Sequence, residues 1–510
     1  MKRWFTLLAL LTVLVTTAAA QQRYIEETFS DVSVTKDITY GVNATVLALP
    51  QVGEAIPVPL LLDFYEPVGD TETERPLVIY FHTGNFLPHP DNGGIGGKRD
   101  DSTCVAIATR LAKMGYTVAV ATYRKGWNPV ASAQEERVFT LINAAYRGVQ
   151  DCRTAVKFFK KDVAENGNQY GVDTSKIVIW GQGTGGYISL NAASLDQYVE
   201  IPLTPGGKFI AQVGGQPVPM VIEGINGDIN CDSVGIVPPN FPGFPAGDTL
   251  NYPNHVGYSG DFALAVNMGG ACGDTSWIDP GQVPIISYQV PTDPFAPYKA
   301  GLVIVPGFNL PVVEVFGAYV VQEFQNRYNN NAAFAGKTYS GDFSAVANSR
   351  NDGYDGLFPL IGTGGPDDSA PWEWWDPATN PNHTSGIQNN PDMSKTKALS
   401  YIDTIISYYA PRACEVLGLD CGLVDVEELD PAAMLTVAPN PASESIYVTA
   451  REDKLIRSIY LYDLAGRLVK AHVNVDDNYF RVQRHNLAAG QYVMQVHFDE
   501  GITSQSVLFQ

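Results

Sequence analysis

The segment Lys176–Tyr187, KIVIWGQGTGGY, constrains this chain more than any other. An apolar run of strand length meets a Gly-rich turn and then a helix opening of small residues, so the backbone must reverse where almost no side chain fits. A turn of this kind at the carboxyl end of a buried strand is where an α/β sheet presents its site. Gly181 and Gly185 flank the turn and Gly183 forms its tip. Glycine offers no oxygen or sulfur there to act as a nucleophile.

The surrounding sequence repeats the strand–helix alternation. Short apolar runs begin at Pro59, Pro76, Tyr116, Lys176, Ala263 and Val283, as expected of strands covered on both faces. Helical stripes run from Ser102 to Met114 and from Glu136 to Asp162, and a long helix from Met393 to about Leu417. The pattern predicts a doubly wound, mostly parallel α/β sheet over residues 21–419. Pro-, Gly- and Asn-rich residues 194–262 read as an insertion, and so do residues 299–356, with an amphipathic helix around Val312 to Tyr328. After a linker at 420–432, residues 433–510 read as short alternating strands of a small all-β sandwich.

Residues 1–20, with a basic start, an apolar run and an Ala-rich end, read as a secretory signal peptide, and no later run is long enough to span a bilayer. A net charge of −21 argues against nucleic acid as a partner. Six cysteines suit an oxidising compartment, and chain order suggests Cys104–Cys152, Cys231–Cys272 and Cys414–Cys421 as pairs.

Ordered motifs carry a family resemblance over about Asp31 to Leu419. LLLDFYEP is followed by RPLVIYFHTGNF, TYR, YRGVQDCRTAVKFF and YGVDTSKIVIWGQGTGG. In this order they resemble the carboxylesterase and hormone-sensitive-lipase-like members of the α/β-hydrolase superfamily. The resemblance implies acyl transfer by a serine on the turn, with an acid and then a histidine later in the chain. Gly183 stands at the serine position. Asp293, in VPIISYQVPTDPFAPY, matches the acid position, and His383 is the sole histidine between it and the tail. The peptide N–H groups of Gly84, Asn85 and Thr184 match the oxyanion donors, with HTGNF standing where the family has HGGG. Thr184 is a poor substitute nucleophile, because Gln182 would then occupy a position that needs a small residue. Serine restored at 183 is expected to change folding little, since the family's turn carries one.

The tail contains Pro439-Asn440-Pro441-Ala442, Tyr462-Asp463-Leu464-Ala465-Gly466-Arg467 and Leu487-Ala488-Ala489-Gly490-Gln491-Tyr492. It resembles the sorting domain of the bacterial type IX secretion system, which implies that machinery as a partner and a secreted or surface-attached product. The whole reads as a secreted hydrolase-fold protein, catalytically impaired, that binds an ester, acid or glycan or a partner. An ester hydrolase with a non-standard nucleophile and an adhesive surface protein are the alternatives. No cofactor is expected. Asp228–Asp232 imitates a calcium loop but lacks its glycine and its glutamate. The cluster Trp372-Glu373-Trp374-Trp375-Asp376 suits stacking on a ligand or packing against the domain.

Overall fold

The computed structural model describes residues 22–305, 309–337, 339, 343–365, 368–421, 431–451, 453–464, 466–499 and 501–510. The signal-peptide reading, the first residue after it and most of the linker lie outside them.

Eight strands form the central sheet: β1 Val32–Thr45, β2 Ile56–Pro67, β3 Arg75–Phe81, β4 Thr117–Ala121, β5 Val172–Gln182, β6 Leu264–Met268, β7 Ile285–Gln289 and β8 Leu357–Pro359. Their spatial order is β1-β2-β4-β3-β5-β6-β7-β8. Only β2 runs against its neighbours, and the ladder from β4 to β8 is parallel. Every residue of β3, β4, β6 and β7 is buried. That follows from helices on both faces, which remove the usual apolar–polar alternation.

Side-chain alternation along β3 sorts the core into two layers. Leu77, Ile79 and Phe81 face one side, with helix α2 (Gln134–Glu165) supplying Val149, Val156 and Phe159. Val78 and Tyr80 face the other, with Cys104 and Leu111 of helix α1 (Ser102–Lys113). Helix α3 (Thr184–Ser194) follows β5 directly and joins the first layer through Ile188 and Leu190.

Two expectations are corrected. The stretch around Val312–Tyr328 is not one helix: Leu310–Gly317 is a strand paired with Ala300–Val305, and helix α4 spans only Ala318–Arg327. Val312 and Val315 are both buried, a helix-like spacing, because the ladder shifts register between Leu302 and Ile304. Of the cysteine pairs, only Cys414–Cys421 is bonded. Cys104 and Cys152 sit in different core layers, on opposite faces of the sheet. Cys231 and Cys272 are spent separately, donating to the Tyr252 and Asp274 carbonyls respectively.

The long C-terminal helix runs as α6, Lys395–Leu417, with α5, His383–Asn389, before it. Beyond it, a three-stranded and a four-stranded antiparallel sheet enclose their own core, including Ile446, Ile459, Val482 and Met494. Among the described residues no helix is long and apolar enough to cross a membrane.

Candidate functional site

The turn after β5 keeps the geometry of a nucleophile elbow. Gly183 has φ 53° and ψ −113°, a region that favours glycine. Its neighbours are glycine because the crossing is tight: a Cβ on Gly181 would fall 1.8 Å from the Gly185 carbonyl oxygen, and one on Gly185 would fall 1.9 Å from that of Phe81. Gly183 opens onto a cavity of about 770 Å³ at the carboxyl ends of β3, β5, β6 and β7.

Thr83, just past β3, occupies the space a side chain at 183 would need. Its Oγ1 lies 2.3 Å from the Cβ that such a residue would carry, and its own Cβ lies 3.0 Å away. The expectation that serine would be accepted at 183 without disturbance is therefore corrected: the hydroxyl of Thr83 already fills that position. The Thr83 carbonyl is fixed by Tyr123 Oη, which donates to it at 3.1 Å, and by His82 Nδ1 at 2.5 Å. Since a carbonyl only accepts, Nδ1 carries the proton. Burial holds His82 neutral, its pKa driven down to about 3.

Gly84, Asn85, Thr184 and Asp293 all line the same cavity as Gly183. The Asn85 N–H is already committed, donating to Thr184 Oγ1 at 2.6 Å. Asp293 follows β7 as the chain order anticipates. Its Oδ1 accepts the N–H groups of Phe295 and Ala296 at 2.8 and 3.3 Å, while Oδ2 points toward Gly269, 3.5 Å from the Cβ position there. Enclosure away from bulk water pushes the Asp293 carboxyl up to about 7.

His383 is not brought into this group. It begins α5, where its Nδ1 accepts the Trp375 indole N–H at 3.1 Å, and it does not line the cavity. No histidine is among the described residues that do. The long connection from β8 to α6 instead delivers Trp372, Glu373 and Trp375 to the cavity wall. That segment is strapped to the loop after β3: Asn382 Nδ2 donates to the Pro90 and Gly94 carbonyls at 2.9 and 2.7 Å, and Asn380 Nδ2 donates to that of Ile95 at 2.7 Å.

Glu373 was not singled out from the sequence except as part of the tryptophan cluster. Its Oε1 accepts from Gln182 Nε2 at 2.6 Å, and Gln182 Oε1 in turn accepts the Tyr80 hydroxyl at 2.7 Å. Burial first, then the charges of Asp101 and Asp293, raises the Glu373 carboxyl to about 8. Thr83 was not singled out from the sequence; the signal that could have found it is the threonine in HTGNF where the resemblance implies the first glycine of HGGG. The calcium-like loop closes on itself: Asp228 accepts backbone N–H groups of Asn230, Asp232 and Ser233. No metal-binding cluster occurs among the described residues.

Two family models match the chain. BD-FAE matches residues 62–204, and the secretion system C-terminal sorting domain matches residues 436–510. No curated relative matches. Among solved structures, Thermogutta terrifontis esterase 2 phosphorylated by paraoxon is 15% identical over 52% of this chain and 73% of its own, with a TM-score of 0.27. A bifunctional GH43-CE from Bacteroides eggerthii is 15% identical over 52% of this chain and 29% of its own, with a TM-score of 0.28. Brefeldin A esterase, a bacterial homologue of human hormone-sensitive lipase, is 17% identical over 32% of this chain and 36% of its own, with a TM-score of 0.19. The sheet order is that of an α/β-hydrolase fold, within which residues 62–204 match BD-FAE, and residues 436–510 form a type IX secretion sorting domain.

Proposed function

We propose that this is an exported binding protein on an esterase scaffold, holding a small organic molecule in the cavity above Gly183 without turning it over by serine-type acyl transfer. Residues 1–20 act as its signal peptide, and the sorting domain directs it to release or to the cell surface. The observation that carries the reading is the exchange at the elbow: Gly183 has no nucleophile, and Thr83 fills the volume that one would need. Two further features support it. The Asn85 N–H is spent on Thr184 rather than held for an oxyanion, and the cavity wall carries no imidazole among the described residues. General-base activation of an alcohol contributes about 10²–10⁴-fold when a base is in place, so losing nucleophile and base together removes the covalent route. Short p-nitrophenyl esters should show no turnover above background with purified protein. Saturable turnover abolished by Asp293→Ala would refute the proposal.

A second reading has one observation in its favour. The Thr83 hydroxyl sits beside the position where the serine side chain would emerge, and it could attack an acyl carbon with Asp293 as the base. A secondary alcohol activated by a carboxylate of pKa about 7 is a weaker pair than serine with imidazole. An acyl or phosphonyl group mapped to Thr83 would favour it.

A further inference from the structure

The charges on the cavity wall are all of one sign. Asp293 and Glu373 are the sole charged side chains among its described lining residues, and no lysine or arginine accompanies them. The remaining wall is largely apolar and aromatic, with Phe86, Trp127, Trp372, Trp375 and Phe295 prominent. Each carboxyl is held by the protein through one oxygen. Asp293 Oδ1 takes two backbone N–H groups and Glu373 Oε1 takes the Gln182 amide. The second oxygen of each, Asp293 Oδ2 and Glu373 Oε2, accepts no hydrogen bond from the described residues. Both groups line the one cavity, where Asp293 Oδ2 and the ring of Trp372, the residue before Glu373, lie 3.5 and 3.6 Å from the Cβ position of Gly269.

An enclosed pair of carboxyls without a counter-ion is costly to ionise, and a cation supplied from outside offsets that cost. An acid would meet two like charges and no basic side chain, so among the ligand classes open to this cavity it fits least. We propose that the cavity takes an apolar amine, its ammonium held between the second oxygens of Asp293 and Glu373 and its body lying against Trp372 and Phe295. Aromatic walls add to the attraction, because an indole face is electron-rich toward a cation. This rests on the reading of the cavity as a binding site and specifies its ligand.

Proton linkage follows. The groups facing Glu373 are Asp101, Asp293, Tyr80 and Cys104, and Tyr187 faces Asp293; none is a cation. Asp101, raised to about 6, has Lys98 among its own neighbours and acts on Lys125, whose amine donates to the Gly97 carbonyl. With the pair titrating at about 7 and about 8, the amine binds to the ionised form and affinity rises with pH through that window.

The test is calorimetry on the full mature chain with three probes of equal size: 2-phenylethylamine, 2-phenylethanol and phenylacetate. The amine should bind at least about tenfold more tightly than the alcohol near pH 8.5, as one charge-assisted pair implies, and this preference should shrink near pH 6. Asp293→Asn and Glu373→Gln should each lower amine affinity about tenfold and leave the alcohol unchanged, with circular dichroism melts confirming the fold. The inference is overturned by amine binding no tighter than the alcohol, including no amine binding at millimolar concentration. It is also overturned by phenylacetate binding tightest, or by a preference that survives in the double variant. Ester turnover, measured separately, would instead refute the non-catalytic reading and leave the charge preference standing.

Discussion

Gly183 stands where the resemblance to the superfamily implies serine, Thr83 stands where it implies glycine, and the two meet at the apex of the turn. The backbone elbow persists because Gly181 and Gly185 are still needed for the crossing of β5 over α3. What has changed is which residue fills the apex. Gly183→Ser alone should therefore destabilise the protein by about 1–3 kcal/mol, since an added Cβ meets Thr83 at 2.3 Å in a packed site. The double change Thr83→Gly with Gly183→Ser should recover most of that loss in urea denaturation. If the single variant is as stable as wild type, Thr83 does not fill the position. The carboxyls make a second residue-scale prediction. Asp293 and Glu373 have folded-state values above their ordinary 3.8 and 4.5, so the folded protein binds more protons than the unfolded chain between about pH 4 and 8, and stability falls as pH rises through that window. Glu373→Gln removes its share. The variant should melt above wild type near pH 8.5, with the advantage fading toward pH 5; an equal offset at both pH values would contradict the assignment.

The strap that carries Trp372 and Glu373 depends on an anchor at the start of α6. Lys397 Nζ donates to Asp368 at 2.6 Å, to Asn390 Oδ1 at 2.8 Å and also to Asp392, tying both ends of the segment before α6 together. Asp368 is fully buried. Lys397→Ala should cost about 3–5 kcal/mol, because it strands that carboxylate, and should loosen the cavity wall as well as lower the unfolding midpoint. A midpoint shift under about 1 kcal/mol would mean the anchor is a screened surface pair. At this scale much was legible in the sequence. The runs at Pro59, Pro76, Tyr116, Lys176, Ala263 and Val283 all became sheet strands, because full burial writes itself as continuous hydrophobicity. β1 was not read, since it is an edge strand with largely exposed side chains. Val312–Tyr328 misled because valines brought inward by a register shift mimic a helical stripe. The site divides along the same line. Residues next to strand ends, Gly183 and Asp293, could be placed by chain order, whereas Glu373 reaches the cavity on a long loop whose path no local pattern encodes. His383 shows the converse: chain order nominated it, and the fold turned its ring toward Trp375.

Across the whole molecule, the sorting domain and the cavity occupy separate parts of the chain. The sorting domain leans on the sheet near β8, where Phe343 and Tyr462 meet edge to face with ring centres 5.6 Å apart and Gly466 approaches Phe358 and Thr404. Among the described residues none beyond Asn390 lines the cavity. The tail therefore stays clear of the cavity, whose wall is formed by the turn after β5, the loop after β3 and the strap. The most direct measurement is the intact mass of the wild-type chain after prolonged exposure to a reactive fluorophosphonate. The predicted result is an unmodified mass. A stoichiometric adduct on any side chain of the cavity would contradict the claim that this elbow has lost its capacity for acyl chemistry.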